Sequence, residues 1–333
     1  MTLQKKRILF LLVIVFGYII FVGGCRHPGM DAVADVRILV VHSYNLDYPW
    51  TRAEDDGIMY VLGDKGFTLK KFFMDTQRYP GEEYRVNIGQ KALALVSEFK
   101  PQIVIATDDN AQEYFGRHLV NRKHISLIFC GVNAEASQYN YPGNNVTGIY
   151  ERVFIRDSLY LLKKAVPSIK TFSILSDTSS TSSSIAQYLK KLNLNIQMED
   201  IILTNDFDRW KHAVKSIQSD ALILYVYHTV MKDKEYIEPK EVIRWTLDNW
   251  NKPTLGLSDF AVEDGVLLGR VESGFEHGEM AAKQALEIIK GKKTSEIPIT
   301  TAHKGLVLIN ERTARRLEID ISIIKNIADK VFH

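Results

Sequence analysis

Short, predominantly apolar runs separated by amphipathic stretches organise this chain. Residues 38–41 (Ile-Leu-Val-Val) form one such run, the pattern of a strand buried on both faces, as in a parallel sheet. Residues 103–106, 126–129, 171–175, 221–226 and 254–257 repeat it, and 67–74, 196–202, 265–271 and 305–309 read as further strands. Between them, 52–62, 84–99, 156–165, 183–192, 207–217, 240–250 and 278–290 carry helical apolar spacing, and 107–110 opens a helix reaching 119. Thr51 reads as an N-cap, with Glu54 at the capping-box position. The alternation pauses at the polar loop 135–145 and restarts after Val146-Thr147-Gly148-Ile149. Two successive βα sets imply an α/β protein with two similar lobes, each a parallel sheet flanked by helices, the chain passing between them near Gly148. Clefts between lobes are common ligand sites, and hinge motion can close them.

Length and composition add limits. A chain of 333 residues fits about two domains. Its net charge of +2 gives no field that would argue for nucleic acid. Residues 1–25 stand apart: Lys5, Lys6 and Arg7 precede the apolar run 8–22, closed by Gly23-Gly24-Cys25. Charge followed by a short apolar run is the secretory pattern, and the closing cysteine matches a bacterial lipoprotein signal, with Cys25 lipidated. The other reading is an uncleaved membrane anchor. Both export the remainder and tether it to a membrane. Cys130, in an apolar setting, reads as a small buried hydrophobe.

Enzyme signatures are missing: there is no GxSxG elbow, HExxH, Walker loop or GxGxxG after a strand. The nine histidines lack metal-ligand spacing, so no cofactor or metal is expected. His277, between Glu276 and Glu279, reads as a solvated helix start. A binding site fares better. Beyond the first strand lies His42-Ser43-Tyr44-Asn45-Leu46-Asp47-Tyr48-Pro49-Trp50, three rings among polar groups. In open α/β sheets ligands bind beyond the carboxyl ends of strands. Those ends carry His42, Ser43, Tyr44, Tyr48, Trp50, Asp108, Asp109, Asn110, Asn133, Glu151, Asp177, Tyr225, Tyr227, Ser258 and Asp259. Each also has a capping, turn or core reading, plainest for Asp177, Ser258 and Tyr225. Together the set is acidic and aromatic, suited to a ligand with an amine, a flat ring, and a carboxylate seated on backbone N–H groups.

Several motifs resemble the ABC-transporter substrate-binding lipoproteins of the type I periplasmic binding protein fold. They are HSYxxxYPW at 42–50, ATDDNA at 106–111, FCGVN at 129–133, TGIYE at 147–151 and GEMAAKQALEIIKG at 278–291. The resemblance implies a three-crossing hinge, near Thr147, Ser273 and Thr300. The lobes would then be 36–147 plus 274–300, and 148–273 plus 301–333, after a signal peptide at 1–25 and a linker at 26–35. It implies a monomeric, non-enzymatic receptor outside the cytoplasmic membrane that hands a small molecule to an ABC permease. Similar domains serve signalling receptors, so a tethered sensor working with a separate kinase is the second reading.

Overall fold

The computed structural model describes residues 36–333. The expected signal, Cys25 and the linker lie outside the described residues. The first lobe opens with β1 (Arg37–His42), α1 (Pro49–Leu62), β2 (Thr68–Phe73), α2 (Glu82–Phe99), β3 (Ile103–Thr107), α3 (Asp108–Tyr114), β4 (Ser126–Val132) and β5 (Val146–Tyr150). The second contributes α4 (Ile155–Ala165), β6 (Thr171–Ser176), α5 (Ser180–Lys190), β7 (Gln197–Leu203), α6 (Phe207–Ser216) and β8 (Ala221–Leu224). A small hairpin, β9 (Met231–Lys232) and β10 (Glu235–Tyr236), precedes α7 (Pro239–Asp248), β11 (Thr254–Gly256), α8 (Asp259–Glu263) and β12 (Leu268–Val271). The chain then returns through α9 (Gly274–Ile289) and β13 (Thr300–Thr301), and ends with β14 (Leu306–Asn310), α10 (Glu311–Arg316), α11 (Ser322–Lys325) and β15 (Lys330–Phe332).

Two sheets result, in the orders β13-β5-β4-β3-β1-β2 and β15-β14-β12-β11-β8-β6-β7. The first is parallel throughout. In β1 the apolar run splits by pleat: Leu39 and Val41 enter one core, while Ile38 and Val40 enter another with Ala281, Ala282 and Ala285 of α9. Burial of each large aliphatic side chain contributes about 1.5–3 kcal/mol, which is why a short apolar run suffices to define a central strand. The chain passes between the sheets after β5, after β12 and after β13.

Three expectations are corrected. The second sheet is not wholly parallel, because β14 pairs antiparallel with β12; the third passage delivers the chain to the cleft end of that sheet, so the strand must run away from it. Helix α1 begins at Pro49, not after Thr51. Tyr48 occupies the N-cap position without a side-chain cap, and proline at the first helical position needs no N–H partner. Thr51 and Glu54 are therefore no capping box; both are buried. Nor is His277 solvated: it has no exposed surface.

Helices α1 and α9 cross at close range because glycines leave room for backbone contact. A Cβ on Gly278 would lie 1.9 Å from the Glu54 carbonyl oxygen, and one on Gly57 would lie 2.2 Å from that of Phe275. This approach brings Trp50 and Glu54 beside His277, from elements more than two hundred residues apart in sequence.

Candidate functional site

The carboxyl ends of β1, β3, β4 and β5 converge on one acidic cluster. Asp108 opens α3 with a left-handed backbone, φ +60°, a conformation that costs a non-glycine residue energy and gathers at functional positions. Its Oδ1 accepts from the Trp50 indole N–H at 2.9 Å, and its Oδ2 from the Thr107 hydroxyl at 3.1 Å. Glu54 lies against it. The register of β4 and β5 shifts between Phe129 and Val132, and Gly131 sits there at φ +66°. A Cβ at that position would fall 2.6 Å from Glu54 Oε1 and 2.9 Å from Asp108 Oδ1. Glycine is thus required twice over, for backbone conformation and for space.

The irregularity also turns the Gly131 N–H toward His277 Nδ1, at 3.3 Å. His277 Nε2 then faces Glu272 Oε2 at 2.9 Å. With Nδ1 accepting, the proton sits on Nε2 and is donated to Glu272. Burial holds the imidazole below its ordinary pKa, consistent with this neutral form.

Asn133 and Asp109 build the next layer. Asn133 donates to Glu151 Oε2 at 2.8 Å. Asp109 accepts from the main-chain N–H groups of Asn133 and Ala134, each at 3.1 Å, and from the Tyr139 hydroxyl at 2.7 Å. The Arg152 guanidinium donates to the carbonyls of Val132, Asn133 and Glu151, and lies over the Tyr150 ring at 4.2 Å.

The electrostatics follow from burial. Burial first, then Asp108, pushes Glu54 well above the usual carboxylate range. Burial raises Asp108 to about 8, against the hydrogen bonds from Thr107 and Trp50. Glu151 is raised to about 8, again by burial, and Glu272 to about 9 by burial and Glu276. Buried charge is costly without compensation, and such groups keep their protons instead.

Aromatic rings face this cluster. Tyr44 and Tyr48 pack edge to face at 5.4 Å, and Trp50 lies 5.5 Å from His277. Tyr48 is close enough to Asp108 of the first lobe, to Glu151 just past β5, and to Asp259 of the second lobe for each to raise its hydroxyl pKa. Tyr225, from the second lobe, is raised by burial and then by Glu151, Glu272 and Tyr48. The two lobes therefore meet around Tyr48, Glu151 and Tyr225.

The residues expected at the strand ends divide accordingly. Tyr44, Tyr48, Trp50, Asp108, Asp109, Asn133, Glu151 and Tyr225 share this cluster. The others are engaged elsewhere. His42 is fully buried, its ring nitrogens on Thr107 Oγ1 at 3.2 Å and Asp55 Oδ1 at 3.3 Å. Ser43 donates to the Thr107 carbonyl and accepts from Ala111 N–H. Asn110 donates to Thr76. Asp177 accepts from Ser182, Ser179 and Thr229. Tyr227 donates to Asp264 and Ser258 to the Tyr225 carbonyl, while Asp259 is exposed at the edge of the cluster, within reach of Tyr48 and receiving the N–H of Phe260.

Four members escaped sequence reasoning: Glu54, Arg152, Glu272 and His277. Pro49 was the available signal for Glu54. A helix started there puts Glu54 one turn after Trp50, on the same face. Among the described residues, no group of His, Cys, Asp and Glu has the geometry to hold a metal ion, and no helix is long and apolar enough to cross a membrane.

Two open-sided α/β lobes joined by three strands of chain, with an acidic aromatic cluster at their junction, define a bilobal solute receptor of the type I periplasmic binding fold. The sequence matches the family described as ABC transporter substrate binding protein over residues 56–331, and the chain belongs to that family. It is similar to a tyrosine-binding protein of Clostridioides difficile (strain R20291), 23% identical over 343 residues, spanning 95% of this chain and 94% of that one. Its fold matches the ligand-free, open structure of a Clostridium difficile substrate-binding protein with adhesive properties: TM-score 0.67, 18% identity, 89% of this chain and 99% of that one. It also matches a Streptococcus pneumoniae ABC domain in complex with L-Trp: TM-score 0.60, 16% identity, 90% of this chain and 100% of that one.

Proposed function

We propose that this protein captures a small molecule bearing an amine and a flat ring, of the aromatic amino acid class, in the cleft between its lobes. One observation carries the reading. Buried side-chain oxygens of the cluster are left without a donor, among them Asn133 Oδ1 and Glu272 Oε1. A buried acceptor without a donor is costly, and an ammonium group brings three donors together with the charge these carboxyls favour. Tyr44, Tyr48, Trp50 and Tyr225 supply ring surfaces against which a flat side chain gains stacking energy. The tyrosine-binding relative and the tryptophan-bound neighbour support the same class.

Lipidation at Cys25 would tether the receptor outside the cytoplasmic membrane, where it would deliver its ligand to an ABC permease. The cleft is equally compatible with a sensor reporting to a separate kinase, and the genes adjoining this one would separate the two. The binding claim is tested by titration calorimetry with L-tyrosine and L-tryptophan, each beside its deaminated and decarboxylated analogue. Binding that needs the amine supports the reading. Equal binding of 3-(4-hydroxyphenyl)propionate, which lacks the amine, would overturn it, as would failure of every amine probe to bind.

A further inference from the structure

Glu54 was not among the residues expected at the site, yet it is the most enclosed acid in the cluster. It has no exposed surface, and Oε2 has no donor. Asp108, 4% exposed, stands in front of it. The two carboxyls crowd a single point beside Gly131: Glu54 Oε1 lies 2.6 Å and Asp108 Oδ1 2.9 Å from where a Cβ would be. Two carboxylates gathered at one buried point do not both ionise without a cation to offset them. One proton between them turns repulsion into a hydrogen bond, as in other carboxyl dyads.

The surroundings offer this pair little else. On α1, Asp55 is taken up by His42 and Lys71. At the ends of β3 and β4 the facing groups are Thr107, Asp109 and the Cys130 thiol, whose Sγ is 3.9 Å from Glu54 Oε1. Beyond β5 stand Glu151 and Arg152, and Arg152 is committed to three carbonyls. From α9 comes His277, neutral and bonded to Glu272, with Glu276 tied to the main chain of 303–305. Tyr44 and Tyr48 close the front, with Tyr225 and Asp259 across the cleft.

We propose that Glu54 and Asp108 share one proton in the ligand-free protein, and that capture exchanges this proton for the ligand's cationic group. The O–H bond of the pair breaks, the proton passes to solvent, and the ammonium takes its place between the two carboxylates, so the net charge of the site is the same before and after capture. Asp108 contacts the cation. Glu54 acts behind it as a positioning residue that sets how strongly the proton competes. Affinity for an amine therefore rises with pH, and an acidified surface would favour release. The inference rests on the amine-binding reading above, but its two tests fail separately.

The first test needs no ligand. Infrared spectra of the ligand-free protein, taken at about pH 7 as the difference between wild type and Glu54→Gln, should show a protonated-carboxyl component that the variant loses or shifts. No difference between wild type and variant in this region overturns the shared proton whatever the protein binds. The second test is calorimetry with L-tyrosine and L-tryptophan in buffers of different ionisation enthalpy. The wild type should release about one proton per amine bound at about pH 7, with affinity rising up to about tenfold per pH unit below the pair's titration. Glu54→Gln, close in shape, should keep binding while proton release and the pH slope fall, because Asp108 then ionises without a like neighbour. Binding with no proton release refutes the exchange and leaves the amine reading intact. Release unchanged in Glu54→Gln but lost in Glu151→Gln or Glu272→Gln refutes the assignment to this pair. If neither amino acid binds, the amine reading falls and the exchange falls with it, while the infrared test still decides the shared proton.

Discussion

The Trp50 indole N–H donates to Asp108 Oδ1 at 2.9 Å, joining the first turn of α1 to the strained start of α3. This bond fixes the ring's orientation toward the cleft and satisfies one oxygen of a carboxyl that is otherwise in acidic company. Ring and acid are therefore one unit, and substitutions can separate their contributions. Trp50→Phe keeps an apolar ring but leaves Oδ1 without its donor, which should weaken amine binding by ~1–3 kcal/mol. Trp50→Ala removes stacking too, and should weaken it at least as much while the protein stays folded. Calorimetry and thermal melting of both variants check this. Unchanged affinity in folded Trp50→Ala would take the ring out of the site.

Gly131 should tolerate no side chain. Alanine at φ +66° costs about 1–2 kcal/mol in backbone strain alone, and its Cβ would press on Glu54 Oε1 and Asp108 Oδ1. Gly131→Ala should lower stability and abolish binding together. A variant that melts like the wild type and binds normally would show that the two carboxyls are not packed against this strand.

Stability of the ligand-free protein should fall as pH rises. Burial raises Glu151 to about 8 and Glu272 to about 9 in the folded chain, against about 4 when unfolded. Below the unfolded value both states are protonated and the contribution is complete. Between the two values the unfolded chain has lost protons that the folded one retains, so stability declines with pH until the folded groups ionise. The melting temperature should therefore drop between about pH 5 and about pH 8, and saturating amine should reduce the drop. A flat or rising profile over that interval would contradict the burial of these acids in neutral form.

The fold was legible because parallel sheets write themselves as continuous apolar runs, and 38–41, 103–106 and 127–129 are such runs. Their strand ends pointed to Tyr44, Tyr48, Trp50, Asp108 and Glu151 for the same reason: in this architecture ligands meet the carboxyl ends. What stayed hidden depends on contact between distant segments. Glu54 fitted a capping box until Pro49 proved to start the helix. His277 looked solvated because neighbouring glutamates suggest water, whereas the glycine-lined crossing of α1 and α9 buries it. Glu272 has no local pattern at all. Its role comes from sitting just after β12, where the chain passes back to the first lobe.

That passage is secured by Glu276, whose carboxylate accepts from the main-chain N–H groups of His303 at 3.0 Å, Lys304 at 2.9 Å and Gly305 at 2.8 Å. It thereby fastens the start of α9 to the third passage between the sheets. Burial pushes this acid up, but the three donors outweigh it and hold the carboxyl below its ordinary pKa. The sign is opposite to that of the cleft acids. Here the stabilisation is full above the unfolded value of about 4 and is lost as pH falls through the lower, folded value. Glu276→Gln cannot ionise, so it should be less stable than the wild type near neutrality, by ~1.5–3 kcal/mol for bonds made to a charged acceptor. The gap should narrow on acidification, as the wild type loses what the variant never had. Urea denaturation of both proteins at neutral pH and near about pH 3 measures the difference directly. A gap that is constant or widens in acid would mean that the charge on Glu276 does not secure this passage.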